Sequence, residues 1–147
     1  MLYYELLHPE ILGALAASGH GGRILIADSN FPVGTRAYPP AKRVYLNLAP
    51  GLVDATTILE VLLTAVPVES AAVMLTNEGV TAPIVDEFRE MLGTEIPVTA
   101  LERFAFYDAC RDSDTALVIA SGEQRIYANI LLTIGVVPPE EEGEDEE

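Results

Sequence analysis

The sequence predicts a single α/β domain built on a mostly parallel sheet with helices on both faces. Three observations carry that prediction. Short β-type apolar runs alternate with amphipathic helical patterns through much of the chain, and such alternation favours parallel pairing with helices covering both faces. At 147 residues the chain fits one domain, which at this size buries about two-thirds of the surface its unfolded form exposes. Half of the residues are hydrophobic, yet no apolar run reaches the roughly 18 to 20 residues of a membrane span.

The elements follow in order. "PEILGALAASGHGG" opens with a proline suited to a first helical turn, places Ile11, Leu12, Leu15 and Ala16 at helical spacing, and stops at Gly19. "RILIAD" is a compact strand-like run, so Asp28 falls at a strand's carboxyl end, and "SNFPVG" behind it reads as a loop. Residues 36–50 hold three prolines and read as an irregular loop or edge excursion that could include a short strand at "AKRVYLNL". Val53 to Ala65 is helical, "AAVMLT" a strand, and "PIVDEFREML" a helix from Pro83 to near Gly93. "PVTAL" reads as a further strand, and "ERFAFYDACRDS" as a helix with Arg103 in its first turn. "TALVIAS" is a buried strand, and "YANILLTIGVV" the last one, following a turn at Gly122 to Arg125. Ligands of such sheets bind outside the carboxyl ends of the strands, where Asp28 and the Ser121 to Arg125 turn are expected.

Charge and composition exclude several function classes. The formal net charge is −15, but seven acids crowd the last eight residues and leave −8 for the rest. A run of like charges without apolar residues does not repay its ordering entropy, so 139–147 reads as an acidic, disordered, solubilising tail behind a domain at 1–138. Eight scattered basic residues make no cationic stripe, so no nucleic acid partner is expected. No membrane partner is expected either, and the N-terminus "MLYYELLHPE" lacks a basic region followed by an apolar one, so the chain reads as soluble and cytoplasmic. The lone Cys110 forms no internal disulfide and, inside an expected helix, reads as a core residue.

Few residues offer chemistry. His8 precedes a proline-started helix and reads as a cap or surface residue, whereas His20 lies in the glycine-flanked loop "SGHGG", free for either solvation or proton transfer. No cysteine pair, H-x-x-x-H or H-E-x-x-H spacing points to a metal, and neither phosphate-loop nor dinucleotide glycine spacing is present. Ser121 lacks the context of a nucleophile elbow. What remains is a polar set of His20, Asp28, Arg103, Tyr127 and Asn129. Each has an ordinary reading, Arg103 as a helix-surface charge, Tyr127 as a rim residue and Asn129 as a turn former. Together they suit a polyhydroxylated ligand, whose hydroxyls need both donors and acceptors.

Three blocks, "SGHGGRILIADSNFP", "ERFAFYDA" and "SGEQRIYANILLTIGVVP", resemble in order and spacing the signature segments of the D-ribose pyranase and L-fucose mutarotase family. The resemblance covers nearly all of the chain up to Pro138. It implies a D-ribose pyranase-like α/β fold, assembly into a homo-oligomer (a ring or decamer-like) with sugar sites at subunit contacts, and mutarotation of a monosaccharide such as L-fucose or D-ribose without a cofactor. It implies His20 as the catalytic histidine, Asp28 as a sugar-binding aspartate, Arg103 at a position where the fucose branch has arginine and the ribose branch histidine, and Tyr127 and Asn129 as ligand contacts. Opening a cyclic hemiacetal removes the anomeric hydroxyl proton and delivers one to the ring oxygen. An imidazole, with a reference pKa of about 6.5, serves either step near neutrality, and Tyr127 is placed as the relay of the second proton. "RFAFYDA" leans toward the fucose branch, "KRVYLNLAPG" toward the ribose branch, and Gly22 stands where an acidic residue is common. The other class of function open to the same residues is a sugar-binding accessory to uptake or regulation that holds the sugar without turning it over.

Overall fold

A computed structural model describes residues 1–140, with ten elements: α1 Pro9–Ser18, β1 Arg23–Ala27, β2 Lys42–Tyr45, α2 Ala55–Leu63, β3 Val68–Met74, α3 Ile84–Leu92, β4 Val98–Leu101, α4 Arg103–Cys110, β5 Thr115–Ala120 and β6 Ile130–Ile134. They form one six-stranded sheet in the order β2-β5-β1-β6-β3-β4. β2, β5 and β1 run parallel to one another, as do β3 and β4, while β6 lies antiparallel to both β1 and β3. Five strands therefore point one way and β6 alone returns. The expected mostly parallel sheet is present in this mixed form, and of the expected acidic tail, 141–147 lies outside the described residues.

Strand alternation builds two cores. Successive β1 residues face opposite sides: Ile24 and Ile26 join the cluster that receives Ile11 of α1, Ile58, Leu59 and Leu62 of α2, and Ile84 and Phe88 of α3. Leu25 and Ala27 face Phe106 and Cys110 of α4, together with Phe31 and Ala37 of the loop after β1. Three helices thus cover one face and α4 the other. Phe31 makes edge-on contacts with Phe106 and Tyr107, with ring centroids 6.2 and 5.5 Å apart. Cys110 is fully buried, and that burial pushes its thiol up to about 12, which removes it from nucleophilic chemistry.

Local signals account for the helix starts. His8 caps α1 by accepting the Ile11 N–H at Nδ1, Asp54 caps α2 through the Thr57 N–H, and Glu102 caps α4 through the Ala105 N–H. The start of the 36–50 segment expected as irregular, together with the end of the loop before it, is organised by Arg43 of β2. Its guanidinium donates to the carbonyls of Val33, Ala37, Tyr38, Pro39 and Ala41. A prolines-rich loop has few internal N–H donors to satisfy its own carbonyls, and one arginine fork takes over that task. Gly122, just past β5, lies against the 49–53 loop so closely that a Cβ there would stand 2.2 Å from the Leu52 carbonyl oxygen and 2.6 Å from that of Ala49.

Two stability predictions follow from these contacts. Arg43→Lys keeps the charge but loses the fork, so urea unfolding should show a loss of about 1 to 3 kcal/mol; an unchanged midpoint would mean the loop carbonyls are equally well served by water. Gly122→Ala should cost at least about 2 kcal/mol, because backbone rather than a flexible side chain must move. Wild-type stability in that variant would show that the 49–53 loop retreats freely.

Candidate functional site

The residues singled out in the sequence occupy two opposite ends of the sheet. Asp28, Arg103, Tyr127 and Asn129 share one end. Asp28 directly follows β1 and Arg103 opens α4 just beyond β4, so both lie at carboxyl ends of parallel strands. Tyr127 and Asn129 precede β6, and because β6 runs antiparallel its amino end reaches the same edge. His20 precedes β1 and lies at the other end. The five residues of β1 alone span about 16 Å, so His20 and Asp28 of one chain cannot touch the same monosaccharide.

Asp28 is buried and paired reciprocally with Asn129. Its backbone N–H donates to Asn129 Oδ1 at 2.7 Å, while its Oδ2 accepts from Asn129 Nδ2 and from the Ala128 N–H, both at 3.2 Å. Its Oδ1 accepts the Asn30 N–H at 2.9 Å. Burial pushes the Asp28 carboxyl above the usual carboxylate range, a rise limited by the N–H donors of Asn30, Ala128 and Phe31 and by the Asn129 amide. Asn129 is therefore the holder of Asp28, engaging its backbone N–H and its carboxylate together.

Between them and the turn stands Tyr127, at φ +60°, a left-handed conformation that costs a bulky residue about 1 to 3 kcal/mol and persists only where its surroundings hold it. Tyr127 lines a cleft of ≈ 520 Å³ with Thr76, Asn77, Glu78, Arg125 and Ile126. A second cleft of ≈ 420 Å³ opens on the other side of the 122–127 turn, lined by Ser29, Asn30, Asn47 and Gln124 among others. Arg103 is exposed, with its guanidinium 4.7 Å from the centre of the Phe104 ring. Exposed apolar side chains, Leu48, Leu52, Phe104 and Ile126, belong to the loops and the helix start at this same end.

At the amino end, His20 stands exposed in the loop between α1 and β1. The flanking Gly19 and Gly21 have φ +74° and +85°, which only glycine adopts freely. His20 Nε2 lies 2.5 Å from Glu69 Oε1 of β3. His20 borders a broad cleft of ≈ 770 Å³ that also takes in Ser18, Lys42 and Asp114.

Three groups have settings that no motif announces. Glu69 carries no motif, and only the strand pairing of β3 beside β6 brings it to His20. Ser121 donates to the Ala27 carbonyl and fastens the end of β5 to β1. Glu123 is buried, accepting the Ala55 N–H at the start of α2 and three N–H groups of Arg125. Burial alone would raise the Glu123 carboxyl, but the hydrogen bonds from the Arg125 side chain and backbone and from Ala55, with the Arg125 charge, hold it below the usual carboxylate range. Nothing in "SGEQR" marks the glutamate for burial: Arg125 is a local partner, but the Ala55 N–H that meets the carboxylate comes from α2.

Residues 1–137 match the model of the RbsD / FucU transport protein family. Two relatives named fucose mutarotase are each 34% identical, that of Danio rerio over 150 residues (94% of each chain) and that of Homo sapiens over 143 residues (90% of each). Among solved structures, Bacillus subtilis RbsD complexed with D-ribose superposes with a TM-score of 0.80 at 27% identity, covering 94% of this chain and 100% of that one. The fucose mutarotase from Streptococcus pneumoniae in complex with L-fucose superposes at 0.77 with 28% identity and the same coverage. A match along almost the whole domain, in sequence and in fold, places this chain in the RbsD / FucU family.

Proposed function

We propose that the protein is a cofactor-independent isomerase, a sugar mutarotase, that opens and recloses a monosaccharide ring, with His20 as general acid/base. The observation that carries this reading is the division of the polar residues: an exposed His20–Glu69 pair at one end of the sheet and the Asp28, Tyr127, Asn129 set at the other. The two halves complete each other only when the His20 end of one subunit meets the carboxyl end of the next. A homo-oligomer with sites at subunit contacts is therefore part of the proposal, and the exposed Leu48, Leu52, Phe104 and Ile126 supply apolar surface for such a contact. The names of the relatives support the substrate class. L-fucose is the first sugar to try, since two relatives named fucose mutarotase are 34% identical, and D-ribose the second.

The chemistry asks for two proton transfers. With the Glu69 carboxylate as acceptor, His20 carries its hydrogen on Nε2, and Nδ1 is left as the proton acceptor. His20 takes the anomeric hydroxyl proton as the Tyr127 hydroxyl delivers one to the ring oxygen; the bond from C1 to the ring oxygen breaks and an aldehyde forms, and after rotation about C1–C2 reclosure on the other face returns one proton to Tyr127 and the other from His20 to the new anomeric hydroxyl. Asp28 and Arg103 fix the other hydroxyls by accepting and donating hydrogen bonds.

NMR exchange between anomeric signals is the direct test. L-fucose should exchange faster with enzyme, and His20→Ala should remove about 10²- to 10⁴-fold of the acceleration. Sugar binding without faster exchange in any sugar would instead support a binding accessory. Complementation tests the shared site: His20→Ala and Tyr127→Phe subunits are each expected to be nearly inactive, but random co-assembly should regain about a quarter of wild-type activity, because about one contact in four then has both intact halves. No recovery in confirmed mixed oligomers, or a monomer by light scattering at assay concentration, would overturn the shared site.

A further inference from the structure

We propose that Glu123 and Arg125 form a clamp that positions Tyr127 in the sugar site, so that both are positioning residues for proton transfer. The inference rests on the mutarotase reading and adds to it two residues outside the proton-transfer pair, the buried Glu123 and Arg125, which borders the same cleft as Tyr127.

Glu123 is a junction of four elements. Its backbone carbonyl accepts from the Ser29 N–H at 3.0 Å and from the Ser29 hydroxyl at 2.7 Å, tying the turn to the loop that carries Asp28. Its own N–H donates to Ser121 Oγ at 3.2 Å. Its carboxylate takes the Ala55 N–H of α2 at 3.3 Å and three donors of Arg125: Nη2 at 2.9 Å, Nε at 3.1 Å and the backbone N–H at 3.1 Å. Arg125 then reaches outward to Glu87 of α3, Nη1 to Oε2, at 2.6 Å. The β5–β6 turn is in this way pinned to β1, α2 and α3 at once.

Tyr127 is what this pinning controls. It lies two residues beyond Arg125, in a left-handed conformation that a tyrosine does not adopt unaided. On its other side the backbone is held by the Ala128 N–H bond to Asp28. With Arg125 fixed before it and Ala128 after it, the Tyr127 backbone is held on both sides where the residue lines the cleft. A buried carboxylate paired with a guanidinium that stays half exposed to solvent adds little net stability, so its contribution here is better sought in placement. A displacement near 1 Å at a reacting group is enough to cost about 100-fold in rate.

The test uses the full-length chain with three variants and two readouts. Glu123→Gln keeps the shape and the Ala55 contact but loses the charge-assisted bonds, Arg125→Ala removes the clamp, and Leu62→Ala opens a cavity in the core at the far end of α2 as a stability control. In anomer exchange, well below each unfolding midpoint, Glu123→Gln and Arg125→Ala should lose about 10- to 100-fold in kcat with little change in KM. Arg125→Lys should recover part of that loss, and Leu62→Ala should keep wild-type kcat despite a lower midpoint. The Tyr127 amide resonance in 15N-labelled protein should move in the two clamp variants and stay in Leu62→Ala. A Tyr127 resonance unmoved by Glu123→Gln and Arg125→Ala overturns the clamp, as does unchanged kcat in both. Wild-type protein that accelerates no exchange sinks the mutarotase reading alone, since the resonance still decides whether the clamp holds Tyr127.

Discussion

Asp28 and Asn129 exchange hydrogen bonds across the ends of β1 and β6, and the carboxyl-end architecture depends on that exchange. β6 is the one strand that runs against the other five, seated between β1 and β3. A returning strand in that place brings its first residues, rather than its last, to the edge where parallel strands present their ligand-binding ends. The pairing fixes where the return begins: Ala128 and Asn129 are locked to the Asp28 carboxylate before the ladder starts at Ile130. A one-residue slip would turn every β6 side chain to the other face, moving Leu132 and Ile130 out of one core and Leu131 out of the other. The polar pair is thus a register device as well as part of the site.

Much of this architecture was legible in the sequence because it is written locally. Pro9, Gly19, Pro83 and Gly93 bound helices where the pattern says they should, and the apolar runs at 23–27, 71–74 and 115–120 are strands. Residues 33–41 were not legible, since their order comes from the Arg43 guanidinium reaching back from the next strand. Likewise Glu69 owes its setting to a neighbour many residues away in the chain, and Glu123 owes its tie to α2 to one. Local pattern reports what a residue prefers; it does not report who arrives beside it.

The same distinction explains the site. Asp28, Tyr127 and Asn129 read together and lie together, because the turn after β5 returns the chain along β1. His20 reads as a few residues from Asp28, yet the strand between them carries the two apart. Closeness in sequence is converted by a β-strand into the greatest separation the sheet allows, about 3.3 Å per residue. Residue types name candidate groups, while the fold decides which of them one chain brings to one end of the sheet.

That separation has a physical consequence under the proposed reading. His20 and Glu69 are both well exposed, so water screens the pair and competes for the imidazole. A proton-transfer site gains from exclusion of water, which strengthens every polar contact within it. A second subunit laid over the His20 cleft would bring Tyr127 and Asp28, and its apolar rim of Leu48, Leu52 and Ile126 would displace solvent at the same time. Recognition, desolvation and the second proton carrier would then arrive in one step. Such a site would have little reason to be complete in the monomer: left open, the histidine is an ordinary surface residue, and the cost of drying it would be met by the same contact that built the oligomer.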